Sequence, residues 1–209
     1  MPSRLKNQVT TALLAFLWLG LVGFGIRILV SYETAPGQPG ITPKEWPRES
    51  QIPRANDLAT LIMVAHPQCP CTRASLDELA QAMAVVNGKA SACVLFLKPK
   101  NSPNEWEKTD LWSAAAAIPG VTVLADIDGR EAALFHVETS GHTLLYDKEG
   151  RLLFSGGITA SRGHSGDNAG ESAIVSLLTG SGSGRNRTLV FGCSLLDPSK
   201  QRLATACSN

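Results

Sequence analysis

Apolar and polar positions alternate in short blocks along most of this chain, but one block stands apart. From Asn7 to Ile26 twenty residues carry no charge, and most of them are apolar. Arg27 interrupts the run, Ile28-Leu29-Val30 resumes it and Ser31-Tyr32 closes it. Such a run is long enough to span a bilayer, with Arg27 reaching out to the far interface. Arg4 and Lys6 precede it. Basic flanks stay on the cytoplasmic side, so the bulk of the chain is expected to be exported. The expectation is a cytoplasmic stretch at 1–8 and a transmembrane signal anchor at 9–32, single-pass in the inner membrane, with the domain on the periplasmic side. A cleaved signal peptide is the rival. The apolar run is longer than an ordinary signal core, and no small-x-small cleavage signature stands near Ser31 to Ala35.

Residues 33–57 hold five prolines and two glycines without apolar periodicity, the pattern of an extended linker. Trp46 within it is placed equally well against a domain or at the membrane surface. From Leu58 the blocks change character. Leu58 to Ala65 is a continuous apolar run and predicts a buried strand, followed by a helix from Thr72 to about Val86 that ends at Asn87-Gly88. Ala92 to Leu97 and Val121 to Ala125 predict two more strands. Helices are expected at Thr109 to Ala117 and Arg130 to Val137, the first capped by Thr109 or Ser102. His142 to Asp147 and Arg151 to Ser155, joined across Lys148-Glu149-Gly150, read as a β-hairpin. Glu171 to Leu178 is the last helix. The order gives an α/β domain at 58–180, with three parallel strands and an antiparallel hairpin at the edge. A Gly/Ser-rich run opens an expected flexible tail at 181–209.

The chain has 209 residues, 44% hydrophobic and 18% charged, with net charge +1. This leaves one domain of ordinary size. The near-neutral balance, without a Lys/Arg cluster, argues against nucleic acid as a partner. Five cysteines, Cys69, Cys71, Cys93, Cys193 and Cys207, are too few for a disulfide-dense scaffold, and their odd number leaves at least one thiol outside any internal pairing. Cys93, inside an apolar strand, reads as a buried inert thiol.

The candidate chemistry lies at His66-Pro67-Gln68-Cys69-Pro70-Cys71-Thr72-Arg73, between the first strand and its helix. Helix N-terminal amides and the helix dipole favour a thiolate, and the thiolate is the nucleophile. His66 or Arg73 is expected to lower a thiol pKa further. Paired acids (Asp126 with Asp128, Asp77 with Glu78) read as solvated charge. Gly156-Gly157 and Gly163 do not follow a phosphate-loop template.

The strand, the Cys-Pro-Cys at the helix start, the Val-Thr-Val-Leu-Ala-Asp strand and the Asp-Lys-Glu-Gly hairpin turn resemble membrane-tethered bacterial proteins of the thioredoxin-like superfamily. HPQCPCTRAS, LLFSGGIT and SRGHSGDNAG are similar to the thioredoxin-like proteins labelled RedB. The resemblance spans about Ala59 to Leu178, with an echo at Phe191-Gly192-Cys193. It implies a thioredoxin-like mixed sheet with flanking helices. Two registers on the family's Cys-x-x-Cys are open. In the preferred one Cys69 is the nucleophile, Thr72 replaces the resolving cysteine and Cys71 sits beside it. In the other Cys71 takes the resolving position and Gln68 the nucleophile's. The family's cis-proline before a threonine becomes His142 before Thr143. With the hairpin ending beside the first strand, the loop from Ser161 to Gly170, with Arg162, His164 and Asp167, is expected to border the cysteines.

Thiol–disulfide exchange or isomerisation follows as the first reading, with Cys69, Cys71, Thr72 and Arg73 as catalytic residues. His66, Pro70, His142, Thr143, Arg162 and His164 would meet a protein thiol or disulfide substrate. Cys71 would resolve the mixed disulfide, with Cys193 as a third redox partner. No cofactor is expected. The alternative is a copper or zinc site built from Cys69 and Cys71 with His142, His164 or Cys193. A peroxidase-like role and a non-catalytic membrane-tethered binding module are the remaining readings.

Overall fold

A computed structural model describes residues 2–181 and 184–195; Cys207 and the end of the expected tail lie outside the described residues. The chain divides into two compact units, the second beginning at Pro36. The first is helix α1 (Pro2–Glu33). Its segment Lys6–Glu33 has a mean hydropathy of 2.3 in its most apolar window, long and apolar enough to cross a membrane.

The second unit contains a five-stranded sheet in the order β3-β2-β1-β4-β5. Its elements are β1 (Ala59–Ala65), α2 (Cys71–Val86), β2 (Ala90–Lys98), α3 (Asp110–Ala116) and β3 (Val121–Ile127), followed by α4 (Arg130–Leu134), β4 (His142–Tyr146), β5 (Leu152–Gly157) and α5 (Ala169–Thr179). β1, β2 and β3 are parallel, whereas β4 runs antiparallel to both β1 and β5. This is the expected arrangement. α2 ends where expected, at Asn87 in the left-handed region, whose N–H bonds the Met83 carbonyl. α5 begins two residues early because the Asn168 side chain accepts from the N–H groups of Gly170 and Glu171.

Two apolar layers cover the sheet. Leu61, Met63, Ala65, Leu145 and Phe154 face Leu76, Leu79 and Met83 of α2 and Ile174 of α5. Ile62, Val64, Leu144 and Tyr146 face Phe135 and Ile52. Alternation along each strand makes this division. Truncating a side chain as enclosed as Leu79 to alanine costs about 2–5 kcal/mol.

The second face is closed by the stretch expected to be a free linker. Trp46 stacks edge-on against Phe135 and Tyr146, at ring separations of 5.2 and 5.3 Å, and Tyr146 donates its hydroxyl to the Pro43 carbonyl. Residues from Pro36 onward are thus part of the folded unit, because an apolar sheet face must be covered. The tail also departs from expectation. Residues 186–195 pair with β5 and with the loop before β4, and Val190 and Leu195 are buried.

Candidate active site

The turn between β1 and α2 is built by its own backbone. The His66 carbonyl accepts from the Cys69 N–H at 3.1 Å and the Thr72 hydroxyl at 3.2 Å, and the Cys69 carbonyl accepts from the Thr72 N–H at 3.0 Å. Pro70, fixed at φ −58°, leads into the first turn of α2. The Thr109 hydroxyl donates to the Pro67 carbonyl, so this residue ties α3 to the turn instead of capping its own helix. On the other side Ser140 takes up the His66 N–H with its hydroxyl at 2.9 Å and lies 3.0 Å from the Thr72 hydroxyl. Ser140 was not read from the sequence. Its position two residues before His142, at the start of the strand opposite the cysteines, was the available signal.

Three sulfurs meet here. The Sγ atoms of Cys69, Cys71 and Cys193 all lie within 4.8 Å of one another. Cys69 and Cys193 are 3.0 Å apart, at hydrogen-bonding distance, and neither is in a disulfide. Burial acts to raise the Cys69 thiol, but hydrogen bonds from the Cys193 thiol and N–H, the Cys71 N–H and the Thr72 hydroxyl outweigh it and bring it below its ordinary value. Thr72 has one proton to give, shared among this sulfur, Ser140 and the His66 carbonyl. Cys193 moves the other way, to about 12, through burial, donation to Cys69 and the charge there. Cys71 is also raised, by burial and by Cys69, with Arg162 opposing. Of the three thiols, Cys69 is therefore the one whose ionisation its surroundings favour, whereas those of Cys71 and Cys193 are opposed.

The cation at the site is Arg162, which donates to the Gly192 carbonyl and opposes the rise of both raised thiols. Arg73 points away to an exposed ion pair with Asp110. It lines a depression of about 240 Å³ with Pro67, Gln68, Cys69, Pro70 and Leu111. His66 is half-buried, which lowers its pKa, and its Nδ1 accepts from the Gln68 N–H, leaving the proton of the neutral ring on Nε2. Its ring meets Trp106 edge-on at 5.5 Å.

Two histidines do not join the sulfurs. His142 is fully buried on the Trp46 side of the sheet, with Nε2 2.8 Å from Ser155 Oγ, which in turn bonds Thr42. Its partner across the ladder is Val64, on the face away from α2. His142 is thus removed from the thiols by the alternation of β4. Thr143, on the opposite side, is buried and donates to the Gly141 carbonyl. His164 is exposed, with Nδ1 2.8 Å from the Arg162 carbonyl. The metal set expected with either histidine is therefore not assembled, whereas the set expected with Cys193 is brought together.

A parallel β1-β2-β3 sheet flanked by an antiparallel β4-β5 hairpin, with the cysteine motif opening the helix after β1, decides the architecture. The domain has the thioredoxin-like fold. Among solved structures this chain is similar to a hypothetical protein from Sinorhizobium meliloti 1021, with a TM-score of 0.56 and 18% identity over 78% of this chain and 97% of that one. It is similar also to an uncharacterized conserved protein from Geobacillus kaustophilus, with a TM-score of 0.54 and 18% identity over 79% and 94%. At this identity the likeness is one of fold. No protein-family model matches the chain, and no curated protein does. In this thioredoxin-like domain Cys71 opens α2, Cys69 lies in the turn just before it, and Cys193 arrives from the tail.

Proposed function

We propose that this protein is a membrane-anchored thiol–disulfide oxidoreductase working in the periplasm, with Cys69 as nucleophile. The observation that carries this reading is the clustering of three sulfurs with hydrogen-bond donors gathered on one of them, Cys69. A depressed thiol at Cys69, held by donors from Cys71, Thr72 and Cys193, is the form that attacks a disulfide. Thr72 donates to that sulfur and is held by Ser140, and Arg162 supplies positive charge near Cys71 and Cys193. The substrate is a protein disulfide or dithiol. α1 provides the anchor, with the basic residues Arg4 and Lys6 on the cytoplasmic side.

A copper or zinc site is the weaker reading. Zinc–sulfur bonds of about 2.3 Å place tetrahedral ligands about 3.8 Å apart, wider than a hydrogen-bonded thiol pair. A guanidinium beside the sulfurs also disfavours a second cation.

The test uses the full-length chain in detergent and a small peptide disulfide. Reduced wild-type protein cleaves the peptide, and Cys69→Ser does not. Equal cleavage by the variant would remove Cys69 from the mechanism.

A further inference from the structure

Three glycines lie where a Cβ would collide with one segment or its pairing partner. At Gly156 it would meet the Thr188 backbone nitrogen at 2.6 Å, at Gly157 the Leu189 carbonyl at 2.6 Å, and at Gly192 the Ser140 carbonyl at 1.9 Å. Side-chain carbons do not come so close, so these positions admit the tail only as glycine. Two of them are on β5 and the third is in the tail itself. Docking of residues 186–195 is thus built into both partners.

Along β5 the Ser155 N–H donates to the Asn186 carbonyl at 3.0 Å, the Gly157 N–H to the Leu189 carbonyl at 3.2 Å, and the Thr188 hydroxyl to the Gly157 carbonyl at 2.7 Å. The edge strand is thereby covered. Beyond Phe191 the chain pairs antiparallel with the loop before β4. The Ser140 N–H donates to the Cys193 carbonyl at 2.8 Å, and the Leu195 N–H donates to the Glu138 carbonyl at 2.9 Å. Leu195 is buried beneath, and Arg162 holds the Gly192 carbonyl. These contacts fix Cys193 over Cys69, whose residue is only 2% exposed with the segment in place. At this exposure Cys69 offers a substrate disulfide almost no surface.

We propose that Cys193 is the resolving thiol for Cys69 and that residues 191–195 form a strap that alternates with substrate over the nucleophile. The proposal rests on the thiol-exchange reading and specifies its second step. With the strap lifted, the Cys69 thiolate, still held by the Cys71 N–H and the Thr72 hydroxyl, attacks one sulfur of a protein disulfide. A Cys69–substrate disulfide forms, and the other substrate sulfur leaves as a thiolate that takes up a proton. The strap returns, the Cys193 thiol gives up its proton, and its thiolate attacks the Cys69 sulfur. The first substrate sulfur leaves as a second thiolate and is protonated. The substrate disulfide has gained two electrons, and Cys69 and Cys193 have lost them to form their own disulfide. A dithiol donor reverses the sequence and resets the pair. Cys71 is a poorer resolving thiol because only Pro70 separates it from Cys69, and a disulfide there closes a small, strained ring.

The test has two arms, both on the full-length chain in detergent. In the first, the wild-type protein is oxidised with a peptide disulfide, blocked, digested without reductant and mapped by mass spectrometry. A Cys69–Cys193 cross-link as the main internal disulfide is the expected result; a Cys69–Cys71 disulfide in its place would overturn the inference. In the second, decay of the Cys69–peptide disulfide is followed. It persists in Cys193→Ser, and in Gly192→Val, which keeps every thiol but bars the strap from Ser140. Decay at the wild-type rate in both variants would also overturn it. If no peptide ever joins Cys69, it is the thiol-exchange reading that fails.

Discussion

The sulfurs of Cys69 and Cys193 lie 3.0 Å apart although 124 positions of sequence separate them. One stands before the first turn of α2, the other on a strap paired with the loop that opens β4. Hydrogen bonding from Cys193 lowers the pKa of the Cys69 thiol, whereas burial raises that of Cys193. The reactivity of the helix-start thiol is therefore set in part by a residue from the far end of the chain.

Removing that donor has a definite sign. In Cys193→Ala the Cys69 thiol loses a hydrogen bond to its charged form, so its pKa rises. The pH profile for alkylation of Cys69 by iodoacetamide in the full-length chain then moves to higher pH. A profile that stays in place would mean that Cys193 does not stabilise the thiolate.

His142 makes the fold acid-sensitive. Burial, with Arg187 adding to it and the Pro39 carbonyl opposing, lowers its pKa to about 4. The folded state keeps the ring neutral while the unfolded chain protonates it near 6.5. Its folded pKa is depressed, so its contribution to stability is complete above pH 6.5 and is lost as pH falls towards about 4. The slope from this one group is at most about 1.4 kcal/mol per pH unit. Urea unfolding of wild type and His142→Gln at a series of pH values measures it, with the variant showing the shallower acid loss.

Glu78 is a buried carboxylate that holds the Arg162 loop to α2. It accepts from the Gly166 N–H at 2.6 Å and from Asn168 Nδ2 at 2.9 Å. Glu78→Ala leaves the Gly166 N–H without this acceptor and Asn168 Nδ2 with the Gly166 carbonyl at 3.2 Å, at a cost of about 1–3 kcal/mol for a donor left buried and unpaired. A lower midpoint in urea unfolding is expected, with faster hydrogen exchange at residues 162–168. An unchanged midpoint would show that water replaces the carboxylate.

α1 is predicted to stay with the chain. Expressed with its own N-terminus in a bacterial host, the protein remains in the membrane fraction through an alkaline carbonate wash. Release of a shortened, soluble form would identify the segment as a cleaved signal.

The sheet was legible because each strand is a short apolar run bounded by turn residues, as in Leu58 to Ala65 before His66-Pro67. The place of the Cys-Pro-Cys turn was legible because an apolar run precedes it and an amphipathic stretch follows it. His142 was misplaced because its position at the start of the strand opposite the cysteines was read without its alternation. Leu144 and Tyr146, two and four residues on, already point to the face away from α2. The docking of residues 186–195 was missed for a different reason. It is held chiefly by backbone pairing with Ser155, Gly157 and Ser140, and backbone pairing leaves no apolar periodicity. The Gly156-Gly157 pair and Gly192 were its trace in the sequence, marking where one backbone lies directly on another.

The most direct test of the account is capture of the first covalent intermediate. Reduced full-length protein is mixed with a peptide disulfide, quenched in acid within the first turnover, and digested for mass spectrometry without reductant. The account predicts the peptide attached to Cys69. Attachment to Cys71 or Cys193 instead, with Cys69 unmodified, would contradict it.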